Sequence, residues 1–153
     1  MKCDLTLQKA SSNKSIPKKI FFNQCIDAAL DKKLDEAEIT VRIVDKEEMQ
    51  ALNHKALKKD YPTNVLAFPL EKDEFFLPEE MEHYIGDIVI CAGVVDEEAK
   101  SQNKSSLAHW AHLIVHGTLH LIGYDHIKED EAEIMEQEEI NILAKLGYEN
   151  PYQ

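Results

Sequence analysis

The segment His116–His126, HGTLHLIGYDH, sets three histidines four and then six residues apart, with Gly123 midway between the second and third. On an α-helix, at about 100° per residue, His116 and His120 stand roughly 40° apart on one face, one turn above the other. Two imidazoles so placed can share one ion. A third from the next turn would not converge on the same open face, so the helix has to stop and the chain fold back. Gly123 is free to take the positive φ that this needs, and His126 then returns to the same point. Neutral imidazoles suit zinc, copper, nickel or iron(II). Three protein ligands leave one coordination position open, which is the catalytic rather than the structural zinc pattern. His116, His120 and His126 are therefore the expected metal ligands.

The spacing HxxxHxxGxxH is also that of metzincin proteases, but the position where those enzymes carry their glutamate base is Gly117. A peptidase reading thereby loses its general base. Asp125 can orient an imidazole, act as a base, or simply stabilise the turn, and Tyr124 can donate to an oxyanion. His112, four residues before His116, offers a second register that lacks the glycine turn, and reads as a packing or supporting residue. His109 and Trp110 read as structural residues of the same helix.

Outward from this segment, Ser105 or Ser106 caps a long helix from Leu107 to about Leu121, stopped by Gly123. After it, Lys128 opens a last helix with an acidic first turn and apolar Ile134, Met135, Ile142, Leu143 and Leu146. Before it, alternation and β-branched content predict strands over Asp4–Gln8, Glu38–Val44, Val65–Phe68 and Ile85–Cys91. A helix with Pro17 in its first turn is expected to bury Phe21, Cys25, Ala28 and Ala29 and to fade near Lys33. Asp45 and Glu48 resemble a capping box that starts a helix carrying Met49 and Leu52. Asp96–Gln102 reads as a short charged helix, DYPTN at Asp60–Asn64 as a turn, and Glu71–His83 as an exposed loop. Four strands interleaved with five helices predict a small α/β sheet with helices packed on it. Arg42, the one arginine of the chain, is expected to pair across strands or at the surface.

A chain of 153 residues suits one domain, residues 1–153. No apolar run approaches the roughly 18 residues of a membrane span, and the first residues alternate like a strand rather than a secretion signal. Cys3, Cys25 and Cys91 are odd in number and far apart, which predicts reduced thiols and a cytoplasmic location. A net charge of −12 argues against a general polyanion binder, so neither DNA nor a membrane is an expected partner. Lysines near the start and at Lys55, Lys58 and Lys59 leave room for a local basic face.

HWAHLIVHGTLHLIGYDH, with EITVRIVD, DYPTNVLAFP, IGDIVIC and the closing GYENPY, closely resembles the YbeY family of bacterial rRNA-maturation endoribonucleases, from about Glu38 to Tyr152. The resemblance implies a single α/β domain with a small, mostly parallel sheet and a zincin-like motif on the long helix of the C-terminal half. It implies that His116, His120 and His126 bind one Zn2+, nickel or another divalent transition metal. It also implies cleavage of single-stranded RNA, maturation of the small-subunit (16S) rRNA 3′ end, and work in ribosome quality control beside the ribosome or its proteins. The family's arginine, thought to meet the RNA phosphate, falls on Leu57. Lys58 and Lys59 can supply positive charge there without the guanidinium fork, and with Asp125 they are the other candidate catalytic residues. The alternatives are a ribosome-associated assembly factor with a structural metal and weak or lost nuclease activity, and a metalloprotease-like hydrolase.

Overall fold

In the computed structural model, residues 2–70 and 82–153 are described. The order is β1 (Lys2–Ala10), α1 (Lys19–Leu30), β2 (Glu36–Val44), α2 (Lys46–Leu57), β3 (Val65–Pro69), β4 (Tyr84–Cys91), α3 (Ala92–Ser101), α4 (Ser106–Leu121) and α5 (Glu129–Lys145). One four-stranded sheet runs β1-β2-β4-β3, with β1, β2 and β4 parallel and β3 antiparallel at the edge. The mostly parallel α/β domain read from the sequence is the observed fold. The expected loop at Glu71–His83 lies, through residue 81, outside the described residues. Among the described residues no helix is long and apolar enough to cross a membrane, and all three cysteines are free.

Alternation along the strands sends side chains to two different packing layers. Ile39, Val41 and Ile43 of β2 and Ile88 and Ile90 of β4 join the main core, with α1, α4 and the inner face of α5. Val44, Val89, Cys91 and Leu66 turn to the other face, where Met49 of α2 covers them. Trp110 of α4 is fully buried and takes the edge of Phe22, ring centroids 5.8 Å apart. Burying each such large side chain contributes roughly 1.5–3 kcal/mol.

Several local expectations are corrected. Pro17 precedes α1 rather than lying in its first turn, because Lys18 is the N-cap. The buried stripe of α1 is Phe22, Cys25, Ile26, Ala29 and Leu30, while Phe21 and Ala28 are only partly buried. That stripe has the i, i+3, i+4, i+7, i+8 spacing, one position on from the one expected, and is the more apolar of the two. Asp45 and Glu48 form no capping box, since both carboxylates are taken elsewhere. Asp45 accepts from Ser11, and Glu48 accepts from Arg42 Nε at 2.6 Å. Arg42 thus has the surface pairing expected of it, completed by Gln8 across the strand pair. α3 begins at Ala92 directly after β4 rather than at Asp96, and buries Ala92, Val95 and Ala99. Ile134, expected among the apolar positions of α5, is 63% exposed, because the stripe that meets α4 runs through Met135, Ile142 and Leu143.

Candidate metal centre and the groove around it

α4 is the central helix, starting where Ser105 Oγ accepts the N–H of Ala108. From His109 to Leu121 every residue is buried except His112, His116 and His120. A helix enclosed on nearly all sides leaves one polar stripe, and that stripe is histidine at every fourth position. Its close approach to the sheet runs through Gly117, where a Cβ would stand 3.1 Å from Ile88 Cγ2. The residue at the metzincin glutamate position is therefore part of the packing between α4 and β4.

The helix ends as the spacing predicted. Gly123 takes φ +104°, its N–H donates to the carbonyl of His120, and the chain turns back so that His126 faces the two helical rings. His116 and His120 bring their Nε2 atoms to 3.1 Å of each other. The His126 ring lies 5.4 Å from that of His116 and 4.9 Å from that of His120, centroid to centroid. One nitrogen from each ring falls within 4.8 Å of the other two. Two imidazole nitrogens at about 2.0–2.1 Å from a tetrahedral ion are about 3.3 Å apart, so the donor set suits a transition metal. Burial, followed by the neighbouring His116 and His126, holds His120 below the ordinary imidazole range and favours its neutral form.

The triad sits at the base of a groove of about 790 Å³. One wall is the turn after α4, with Tyr124 and Asp125, and the other runs from the end of α2 to the edge strand β3. Asp125 Oδ1 accepts the N–H of His126 at 2.8 Å, the turn-stabilising role weighed for it. Leu57, 53% exposed, and Lys59 both line the groove. Lys58 is the left-handed cap of α2, at φ 60°, and is not among the lining residues. The structure thus brings Lys59, Asp125 and the three histidines to one cavity and leaves Lys58 beside it.

The match of the family model described as endoribonuclease YbeY extends over residues 6–147. The chain belongs to the YbeY family. An endoribonuclease YbeY from Methylococcus capsulatus is 53% identical over 150 residues, covering 97% of this chain and 95% of that one. The solution structure of a Thermotoga maritima target protein is similar in fold at a TM-score of 0.57 and 20% identity, over 97% of this chain and 99% of its own.

Around the site of this YbeY-family chain stand residues that the motif reading passed over. Glu98 of α3 meets His109 Nε2 at 2.9 Å and accepts from Asn64 Nδ2 at 3.0 Å. Asn64 in turn accepts the N–H of Cys91 on its carbonyl, so the turn entering β3 is tied to both α3 and β4. Asn53 of α2, fully enclosed, donates to the carbonyl of Tyr61 at 2.8 Å and fixes the other end of the same turn. Glu139 of α5 is completely buried, with Oε1 at 2.7 Å from His116 Nδ1 and Oε2 accepting from the Tyr152 hydroxyl at 2.6 Å. Burial alone would push this carboxyl up, but hydrogen bonds from His112, His116 and Tyr152 outweigh it and bring it down to about 2. The available signal was positional: Glu139 is a charged residue on the apolar stripe of α5, four after Met135 and three before Ile142.

Proposed function

We propose that residues 1–153 form one catalytic domain, a metal-dependent endoribonuclease that cuts single-stranded RNA in maturing the 16S rRNA 3′ end and in ribosome quality control. The observation that carries this reading is the convergence of His116, His120 and His126 at the base of an open groove. The name of the 53% identical relative supports it. In this reading the three imidazoles hold one Zn2+, nickel or a similar divalent ion. Held there, such an ion would supply Lewis acidity toward a phosphodiester oxygen.

The remaining roles fall to the chain's own groups. The Lys59 ammonium, on the groove wall, draws the RNA phosphate toward the histidines, with Lys58 adding positive potential from beside it. Asp125 holds the turn that presents His126. At a net charge of −12 the protein gains little from naked RNA, so recognition is shared with the ribosome or a ribosomal protein. The free thiols and acidic surface suit the cytoplasm. Purified protein is expected to cut a single-stranded RNA oligonucleotide and to leave its duplex intact, and His120→Ala to abolish the cutting. Unchanged cleavage by His120→Ala would remove this function.

A further inference from the structure

We infer that Glu139, outside the histidine triad, is the positioning residue of the metal site, and that Tyr152 near the chain's end holds Glu139 in that role. The inference rests on the reading of His116, His120 and His126 as metal ligands.

A carboxylate with a fully buried side chain is costly unless its oxygens are filled by donors. Here they are filled, from two elements. His116 Nδ1 lies 2.7 Å and His112 Nε2 3.3 Å from Oε1, and the Tyr152 hydroxyl donates to Oε2 at 2.6 Å. The Tyr152 oxygen is also 3.2 Å from His112 Nε2, so His112 and Tyr152 brace each other. A leucine would continue the stripe of Met135, Ile142 and Leu143 without this apparatus, so packing alone does not call for a glutamate.

The geometry separates two uses of such a cluster. His112, His116 and Glu139 also bring three donor atoms within 4.8 Å of one another, as a second ion would require. The 2.7 Å between His116 Nδ1 and Glu139 Oε1 is the length of a charge-assisted hydrogen bond. It is well below the roughly 3.3 Å between two ligands of one tetrahedral ion. The proton therefore lies between Nδ1 and the carboxylate. This leaves the Nε2 lone pair of His116 directed toward His120, 3.1 Å away. The carboxylate fixes the tautomer, locks the ring plane and makes Nε2 a stronger donor, the arrangement in which an outer carboxylate supports a metal-bound imidazole.

The test is competition for Zn2+ between the full chain and a chromophoric chelator, for the wild type, Glu139→Gln, Tyr152→Phe and His120→Ala. The wild type is expected to bind one Zn2+. Glu139→Gln should weaken binding about 10- to 100-fold, and Tyr152→Phe less, in the same direction. Ring-nitrogen NMR of the metal-free protein gives a readout that general loosening would not mimic: the neutral His116 ring carries its proton on Nδ1 in the wild type and shifts toward the Nε2 tautomer in Glu139→Gln. Unchanged Zn2+ affinity in Glu139→Gln overturns the proposal. A second Zn2+ per chain that Glu139→Gln alone removes overturns it also, since Glu139 would then be a ligand. If Glu139→Gln does not fold, unchanged affinity in Tyr152→Phe overturns it alone. A wild type that binds no better than His120→Ala defeats the metal-site reading itself. RNA cleavage enters none of these measurements.

Discussion

Gly86 of β4 and Phe68 of β3 approach so closely that a Cβ on Gly86 would stand 2.4 Å from the Phe68 carbonyl oxygen, with Gly86 at φ +144°. Leu121, the last residue of α4, closes the third side, 2.8 Å from the same point. One glycine therefore lets the edge strand, the central strand and the histidine helix meet. Gly86→Ala combines a strained backbone with overpacking, each costing about 1–3 kcal/mol. Urea unfolding is expected to show a loss of at least about 2 kcal/mol, and a neutral result would mean that β3 can shift outward freely.

Leu57 is exposed on the groove wall, so replacing it costs little in the fold. Leu57→Arg adds a guanidinium fork to the groove wall, where the proposed function brings the RNA phosphate. Cleavage of single-stranded RNA should rise about tenfold in kcat/KM, and the salt dependence of binding should steepen by about one ion. Stability should stay within about 0.5 kcal/mol of wild type. An activity unchanged by the arginine would place the phosphate elsewhere in the groove.

Thiol chemistry should be silent in the folded protein. Burial, then the charges of Asp27 and Asp4, pushes the Cys3 thiol up to about 12, and burial takes Cys25 to about 12 as well. Cys91 is also raised, chiefly by burial. The thiolate is the reactive species, so at pH 7.5 an aromatic disulfide reagent should label none of the three until denaturant is added. Rapid labelling of Cys3 in the native state would show that β1 frays.

At Gly123 nothing lies within 4 Å of where a Cβ would be, so substitution there meets backbone strain and no clash. At φ +104° the expected cost of Gly123→Ala is about 1–2 kcal/mol, read as a lowered Tm. The helix α4 itself should survive, with its circular dichroism intact, because its core contacts end at Leu121.

The parts of this molecule legible in the sequence are those where neighbouring residues decide the outcome. Ile39, Val41 and Ile43 alternate and form β2, and the HGTLHLIGYDH spacing closes three imidazoles on one point. The misreadings occur where a distant partner decides. Asp45 and Glu48 have the spacing of a capping box, but Ser11 and Arg42 reach them first. Phe21 and Phe22 are equivalent in type, and the edge-on contact with Trp110 settles which one turns inward. Glu139 looks like one more acid of an acidic helix until His116 and Tyr152 are seen against it. Asn53 and Asn64 support the groove through carbonyls and carboxylates that no local pattern announces.

The three histidines are not held alike. His116 and His120 ride a helix enclosed by the core, whereas His126 is exposed and stands on a turn kept by Gly123 and Asp125. Capture and release of an ion should therefore run on separate clocks. In the proposed metal centre the helical pair, held by the core, would set the speed of arrival, while the exposed turn would set how long the ion stays. Changes in the turn would then shorten residence and leave the rate of uptake nearly untouched.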